Sequence, residues 1–551
     1  MKTFRDVVLA RREDPRPAIL SGDDVLSYAQ FVQGAADRAS LFAASNTGSA
    51  PHIGVLLDNV PEFPLWIGAA SLAGATIVGI NPTRRGAELA RDIRHTDCQM
   101  IVTESNHEPL LNGLDLGIPP EKILSIDSAA YTHALAPHAN ASVPERAVDA
   151  DTQLLLLFTS GTSGAPKAVI CSQGKLAATG EAIQQIAGLH DNTVSYQVMP
   201  MFHSNALFAG YAPTVVAGAA TALRRKFSAS GFLPDVRHYK ATYFNYVGKP
   251  LSYILATPEA PEDGDNTLEY VFGNEGADLD LERFSERFRV PVKDGYGSTE
   301  GGTAISRTEE MPQGALGVAD PSVKVMDPDT NAECPPARFD EQGRITNPEE
   351  ATGEIVNTAG AGMFEGYYRN DEANQTRMRG GWYWTGDLGY RDEDGYFYFA
   401  GRDYEWLRVD GENFAAAPVE RILARYPDVI LAAVYAVPDA EVGDQVMAAI
   451  QVKSPEAFDP GAFDHFLADQ PDLGTKWSPR YVRITRTLPV THTSKVQKRQ
   501  LRAQRWECDE PVYFRPARDA HLRSMTPEDA TALQNEFAAR GRPLAPPAAT
   551  P

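Results

Sequence analysis

A chain of 551 residues is too long to fold around one hydrophobic core and predicts several domains. Its 43% hydrophobic and 23% charged content is that of an ordinary soluble globular protein. The net charge of −22 argues against nucleic-acid binding, which needs a basic face, but leaves an anionic ligand open because local clusters decide that. Cys98, Cys171, Cys334 and Cys508 lie far apart, with neither metal nor redox spacing, and read as reduced thiols of a cytoplasmic protein.

The opening MKTFRDVVLARREDP is charged and lacks the apolar core of a secretory leader. No stretch approaches the roughly 18 uncharged apolar residues of a membrane span. The closing Ala-Thr-Pro matches neither a prenylation box nor a peroxisomal tripeptide. IGVLLDN (Ile53–Asn59) predicts a buried strand, PEFPLWIGAASLAGATIVGI a helix and then a strand, and QMIVTES (Gln99–Ser105) another strand. This alternation predicts α/β layers with partly parallel sheets, and the pattern returns over 269–299 as strand YVFGN, helix LDLERFSERF and strand VPVKDGYGS. LGYRDEDGYFYFAGR (Leu388–Arg402) predicts two aromatic-rich strands around an Asp-Glu-Asp-Gly turn. Beyond Arg402, helix PVERILARYP and strand VILAAVYAV suggest a compact α+β domain of roughly 100 residues or somewhat more. The expected layout is a large N-terminal multi-layer α/β domain over 1–402, a small α+β domain over 403–535, and a Pro/Ala-rich, disordered tail over 536–551.

FTSGTSGAPKAV (Phe158–Val169) directly follows the apolar run Leu154–Phe158. Small residues let a backbone turn its N–H groups inward as an anion nest. Thr159, Ser160, Thr162 and Ser163 add hydroxyl donors, Gly161 and Gly164 add room, and Lys167 adds a positive charge. A polyphosphate suits such a loop. It is not a Walker A loop, since no Gly-Lys-Ser/Thr follows. The bland alternative is a Gly/Ser linker, but a linker rarely follows five apolar residues directly and ends in Pro-Lys.

The loop resembles the phosphate loop of the adenylate-forming superfamily, which holds acyl-CoA synthetases, peptide-synthetase adenylation domains and firefly luciferase. Further segments resemble that family's motifs in its order: MPMFHSNAL (Met199–Leu207), DGYGSTE (Asp294–Glu300), WYWTGDLG (Trp382–Gly389), GRDYEWLRVDGEN (Gly401–Asn413) and LPVTHTSKVQKRQL (Leu488–Leu501). The resemblance runs from about Ile53 to Arg502. It implies the adenylate-forming fold with a mobile C-terminal domain, and ATP, Mg²⁺ and CoA as cofactor and co-substrates.

What the resemblance implies residue by residue follows from the chemistry. A carboxylate attacks the α-phosphate of ATP, and a thiol then attacks the acyl-adenylate. The first half brings two anions together, which a metal and a placed ammonium can offset. Glu300 is the expected Mg²⁺ ligand, with Thr162 beside it; a lone Glu is otherwise a solvated loop carboxylate. Thr299 would donate to the α-phosphate, Tyr296 would offer its face to adenine, and Asp294 would accept from the adenine amino group. Gly295, Gly297 and Ser298 complete that motif, and Asn274, Glu275 and Gly276 resemble the backbone opposite the adenine ring. Asp387 would accept from both ribose hydroxyls, with Arg402 reaching the same sugar. Lys495 is the expected catalytic cation; the alternative is one charge on a basic face with Lys498, Arg499 and Arg502. The family's usual glycine before it is Ser494 here.

The small domain of relatives turns between the half-reactions. The pivot position, usually Asp or Lys, is Tyr404 here with Asp403 beside it; Gly411 falls where pantetheine must pass, and Arg408 where relatives carry a thiolation-face lysine. ATYFNYVGKPLSYIL (Ala241–Leu255) and GNEGADLD resemble the fatty-acid-transport-protein branch, with Lys249 where that branch often has Glu. LRVDGENFAAAPVERIL and VYFRPARDAHL resemble actinobacterial fatty-acyl and steroid side-chain CoA ligases. The pocket candidates Asn205, Ala206 and Val247 are uncharged, as an apolar tail requires, and His203 either gates the pocket or is a packed histidine. The implied function is an AMP-forming acyl-CoA synthetase for a fatty or steroid side-chain acid. The alternatives are a ligase loading a separate acyl-carrier protein, a non-catalytic acyl or nucleotide sensor, and, disfavoured, a luciferase-type oxygenase. A homodimer and peripheral membrane contact stay open.

Overall fold

The computed structural model describes residues 2–45, 50–159, 167–308, 310–341, 343, 345–402, 406–409, 412–439, 444–474, 476–490, 496–517 and 520–540. These group into two compact units, one of 1–276, 281–302 and 361–379, the other of 277–280, 303–360 and 380–551.

The first unit holds two sheets. One runs in the order Ile123–Ser125, Met100–Thr103, His52–Leu56, Thr76–Gly79, Gln153–Phe158, Ala168–Ser172, parallel except for its last pair. His52–Leu56 and Thr76–Gly79 are buried at every position, which is why they read as continuous apolar runs instead of alternating ones. Helix Glu62–Ala73 between them is buried from Phe63 to Leu72 and so carries no polar face. It ends at Gly74 in the left-handed region, where the missing side chain lets the chain turn back into the next strand.

The second sheet includes Asp24–Ser27, Pro17–Ser21, Ala220–Leu223, Val194–Gln197, Tyr243–Val247, Tyr270–Asn274 and Val292–Tyr296 in that order. After the antiparallel first pair its strands are parallel. Its strand ends release Asn274–Gly276 and Gly295–Glu300, which brings two of the predicted motifs to one edge. Cys98 and Cys171 are buried in this unit, and burial pushes both thiols up to about 12, so they stay protonated at neutral pH.

In the second unit Val323–Met326, Gly353–Asn357, Trp382–Arg391 and Phe397–Arg402 form antiparallel pairs in sequence. The predicted hairpin around Asp392–Gly395 is the last of these, and Tyr390 stacks on Tyr398 across it with ring centroids 4.9 Å apart. Hairpin Trp406–Val409/Glu412–Ala415 and helix Ala416–Leu423 follow. A sheet of Val429–Pro438, Asp444–Val452, Tyr481–Thr485, Val512–Phe514 and Arg523–Ser524 completes the mixed α+β texture expected there. Among the described residues no helix is long and apolar enough to cross a membrane.

Candidate active site

The loop begins where strand Gln153–Phe158, buried from Leu154 to Leu157, reaches Thr159. The Thr159 N–H donates to the Lys167 carbonyl at 3.1 Å and closes the base of the loop. Ser160, Gly161, Thr162, Ser163 and Gly164 lie outside the described residues. Lys167 Nζ sits 5.9 Å from the centre of the Tyr367 ring. Burial first, and then the Arg377 guanidinium, push the Lys167 ammonium below its ordinary range, while Glu300 works in the opposite direction.

Glu300 is buried, at 7% exposure, and Oε1 accepts a 2.7 Å hydrogen bond from the Tyr367 hydroxyl. That hydroxyl accepts in turn from Arg377 Nε at 3.1 Å. Burial and the adjacent carboxylate raise the Tyr367 hydroxyl well above its ordinary value, so it remains a donor at any working pH. The backbone under Glu300 is fixed separately. Buried Lys175 donates from Nζ to the Glu300 carbonyl at 2.9 Å and the Thr299 carbonyl at 3.3 Å. The Thr299 hydroxyl pairs with the Ser204 hydroxyl at 2.6 Å, which ties DGYGSTE to MPMFHSNAL. Replacing Tyr367 by phenylalanine is expected to lower kcat/KM for ATP by roughly ten- to a hundredfold, because a buried carboxylate then loses a donor worth about 1.5–3 kcal/mol. Steady-state kinetics over ATP concentration check this; an unchanged value would mean that Tyr367 serves packing alone.

Asp294 is buried, and its Oδ2 accepts from the Tyr246 hydroxyl at 2.5 Å and the Gly276 N–H at 2.9 Å. A Cβ on Gly276 would stand 2.9 Å from that oxygen and 2.7 Å from the Tyr246 oxygen, so only glycine permits this clamp. One Asp294 oxygen is thus engaged in holding the Asn274–Gly276 turn to the strand. Glu275 in that turn has φ 65, in the left-handed region. Asn274 Nδ2 donates to the Gly295 carbonyl at 2.6 Å, so the segments expected to flank adenine are bonded to each other. Tyr296 is half-buried at the strand end, and Gly297 and Ser298 are exposed beyond it.

Ala206 and Val247 belong to one buried apolar cluster with Met199 and Tyr246, and Asn205 sits beside it, donating to the Tyr246 carbonyl at 2.9 Å. His203 is half-buried, with its ring 4.3 Å from that of Phe202. In the second unit the antiparallel ladder sets Asp387 directly opposite Arg402, the two residues expected at one ribose. Asp387 is buried, its N–H donates to the Thr385 hydroxyl at 3.1 Å, and Gly386 N–H donates to Glu354 Oε1 at 2.6 Å. Arg408 lies in strand Trp406–Val409 opposite Asn413. Asp403, Tyr404, Gly411 and Lys495 lie outside the described residues.

The sequence carried no sign of Ser204, Lys175, Tyr367 or Arg377 in the Glu300 cluster, since each joins it by a contact distant in the chain. Asp58, Glu104 and His107 are close enough together to hold a metal. Arg225 already ion-pairs with both carboxylates and Lys226 with Asp58, so the negative charge is matched by protein cations. Glu300 suits Mg²⁺ on different grounds, as a hard, buried oxygen donor oriented by a hydroxyl.

A family model described as AMP-binding enzyme matches residues 7–368. Steroid-22-oyl-CoA synthetase of Rhodococcus jostii (strain RHA1) is 49% identical over 543 residues, 98% of each chain. Medium/long-chain-fatty-acid--CoA ligase FadD17 of Mycobacterium marinum (strain ATCC BAA-535 / M) is 49% identical over 90% of this chain and 95% of its own. Among solved structures, the anthranilate CoA ligase AuaEII in complex with anthranoyl-AMP superposes with a TM-score of 0.79 at 20% identity, over 91% of this chain and 97% of that one. ATP-bound MatB from Rhodopseudomonas palustris gives 0.76 at 23% identity, over 91% and 98%. These last two similarities show that the fold is the expected one. The extent of the family match and of the 49% identity shows that the chain belongs to the AMP-binding enzyme family.

Proposed function

We propose that the chain is an ATP-dependent, AMP-forming acyl-CoA synthetase acting on a hydrophobic carboxylic acid of the steroid side-chain or medium/long-chain fatty class. The observation that carries this reading is the cluster of buried Glu300 and Tyr367 with half-buried Thr299, Ser204 and Lys167, which links Lys167 at the base of the phosphate loop to the acyl segment. Two relatives at 49% identity, named as a steroid-22-oyl-CoA synthetase and a medium/long-chain-fatty-acid--CoA ligase, support the acid and the acceptor.

In the first half-reaction a carboxylate oxygen bonds to the α-phosphorus, the bond to the bridging oxygen of the β-phosphate breaks, and pyrophosphate leaves. The loop Thr159–Lys167 binds the phosphates, with the hydroxyls of Ser160, Thr162 and Ser163 as donors. The Thr299 hydroxyl, oriented by Ser204, donates to the α-phosphate. Glu300, with Thr162, would hold Mg²⁺, which when bound offsets charge on the departing pyrophosphate. Lys495 bridges the acid's carboxylate and the α-phosphate. Asp387 and Arg402 hold the ribose, while Asn274–Gly276 and Asp294–Ser298 enclose the adenine. The acid's tail lies along Asn205, Ala206 and Val247 near His203.

In the second half the CoA sulfur bonds to the acyl carbon, the bond to the phosphate oxygen breaks, AMP leaves, and the thiol proton passes to solvent. A small domain of 403–535, turning near Asp403 and Tyr404 against the large domain of 1–402, brings Arg408 and Gly411 to that face; the tail expected over 536–551 does not begin at 536, because helix Pro527–Ala539 runs through 536–539 and buries Phe537. A cytoplasmic location belongs to this proposal, on the ground of four cysteines that lie far apart in the sequence and are free of disulfides among the described residues.

The test is pyrophosphate release with fatty, steroid side-chain, aryl and amino acids, with and without CoA, with mass spectrometry of the products. A CoA thioester with one lipid class is the expected result. Bound acyl-AMP without a thioester would favour a carrier-protein loader, and no release with any acid would favour a sensor.

A further inference from the structure

Residues 365–368 run antiparallel along the edge strand Ala168–Ser172 of the first sheet. The Ser172 N–H and hydroxyl donate to the two Glu365 carboxylate oxygens at 2.7 and 2.6 Å. The Ile170 N–H donates to the Gly366 carbonyl at 3.0 Å, and the Tyr368 N–H to the Ala168 carbonyl at 2.8 Å. Successive side chains of an extended segment point to opposite sides. Tyr367 accordingly meets Glu300 and Lys167, while Tyr368 packs elsewhere, its ring 5.3 Å from that of His52 and 6.3 Å from that of His95.

The Tyr368 side is gripped by the end of helix Gly86–His95. His95 Nε2 donates to the Tyr368 carbonyl at 3.0 Å, which fixes the ring tautomer because a carbonyl only accepts. The Tyr368 hydroxyl donates to Asp97 Oδ2 at 2.7 Å, and Arg369 Nη1 meets the same oxygen at 2.6 Å. The Arg369 side chain is 63% exposed, so its ion pair adds little by itself, and the half-buried hydroxyl bond is the stronger hold. Burial, and then Asp97, push that hydroxyl up to about 12, so it stays a donor. Asp97 and Arg369 both have left-handed backbones, with φ 49 and 47. Asp97 follows the helix cap Thr96, the place glycine usually takes. A carboxylate kept there against that preference points to a use for the side chain.

The turn at Arg369 also feeds the next element. Helix Asp371–Arg377 starts directly beyond it, and its Asn374 returns to Tyr367, accepting from the N–H at 2.7 Å and donating to the carbonyl at 3.2 Å. Arg377 of the same helix donates to the Tyr367 hydroxyl at 3.1 Å. Everything that orients Tyr367 thus passes through the turn that Asp97 holds. We propose that Asp97 and Tyr368 are positioning residues for the metal site: they fix the register of 365–369 and so keep the Tyr367 hydroxyl on the Glu300 carboxylate. This rests on the reading in which Glu300 holds the Mg²⁺ of bound ATP, and adds a support that touches neither ligand.

The experiment follows the Mg²⁺ dependence of two signals in the full-length protein, pyrophosphate release and, independently of turnover, the thermal-midpoint shift given by ATP. Asp97→Gly removes the carboxylate, while glycine accepts φ 49 without strain. It is expected to raise the half-saturating Mg²⁺ concentration by roughly three- to thirtyfold, the reach of a contact that acts through a neighbour. The rate at saturating Mg²⁺ is expected to stay close to wild type. Asp97→Asn keeps an acceptor for the Tyr368 hydroxyl and is expected to restore most of the wild-type requirement. In Tyr367→Phe the link to Glu300 is already gone, so adding Asp97→Gly is expected to raise the requirement no further. An unchanged requirement in Asp97→Gly would overturn the proposal, and so would a rise of equal size in the Tyr367→Phe background. Should Asp97→Gly fail to fold, Tyr368→Phe removes the same hydrogen bond, keeps the ring against His52 and is read in the same way. Failure of the synthetase reading looks different: no acid releases pyrophosphate, and the Mg²⁺ dependence of the ATP-induced thermal shift still decides for or against the positioning role.

Discussion

Lys495→Ala is expected to lower acyl-adenylate formation by about 10²–10³-fold or more, the usual size of a lost charge-stabilising contact, while thioester formation from a supplied acyl-adenylate stays within a few-fold of wild type. In the adenylation transition state the attacking carboxylate and the α-phosphate are both anionic, and a placed ammonium lowers that repulsion. In thiolation the substrate carboxylate no longer exists as an anion, so the same ammonium has nothing comparable to offset. The two half-reactions are separated by measuring pyrophosphate exchange in one assay and AMP release from synthetic acyl-adenylate plus CoA in the other. Equal loss in both would show that Lys495 supports the fold or both sites together, and the basic-face reading with Lys498, Arg499 and Arg502 would then be preferred. Lys495→Arg sharpens the result. Its guanidinium keeps the charge but spreads it over a plane, so partial activity is expected instead of rescue.

The sheets were legible because fully buried parallel strands leave continuous apolar runs. Thr76–Gly79, Met100–Thr103 and Tyr270–Asn274 fall inside segments read as strands, and His52–Leu56 begins one residue before the expected Ile53–Asn59. The aromatic hairpin ending at Arg402 was equally clear, and its register explains why Asp387 and Arg402 read as partners fifteen residues apart. The site was legible only where its residues cluster in the chain, as in DGYGSTE. Lys175 sits in an unremarkable SQGKLAA helix start, and its buried ammonium finds its carbonyls about 125 residues away. Tyr367 and Arg377 lie in a mixed polar-aromatic stretch with no period, and only folding shows that they complete Glu300. Asn245 looks in the sequence like one polar position in a strand otherwise rich in aromatic residues. Its fixed orientation follows from three neighbours that no local pattern encodes. Asp294 shows the reverse case: the motif drew attention to the right residue, yet one of its oxygens serves the Gly276 turn.

Glu300→Gln is the second large effect, with an expected loss of about 10²-fold or more in kcat and a raised requirement for Mg²⁺. The substitution is nearly isosteric, so the packing around Tyr367 survives, but one anionic charge goes and an amide replaces a hard carboxylate donor. It also alters the hydrogen bond from Tyr367, since an amide oxygen is a weaker acceptor than a carboxylate. These two contributions are distinguishable. If Glu300 acts chiefly through the metal, activity in Glu300→Gln rises with Mg²⁺ well beyond the concentration that saturates wild type, and Tyr367→Phe adds a further, separate loss. If Glu300 acts chiefly by anchoring the 297–300 segment through Tyr367, the double variant is no worse than Glu300→Gln and Mg²⁺ brings no recovery. The Lys175 anchor argues for the first outcome, because it holds the backbone at 299–300 without using the Glu300 carboxylate at all. A carboxylate that the fold does not need for position, yet keeps buried and oriented, is one reserved for a ligand.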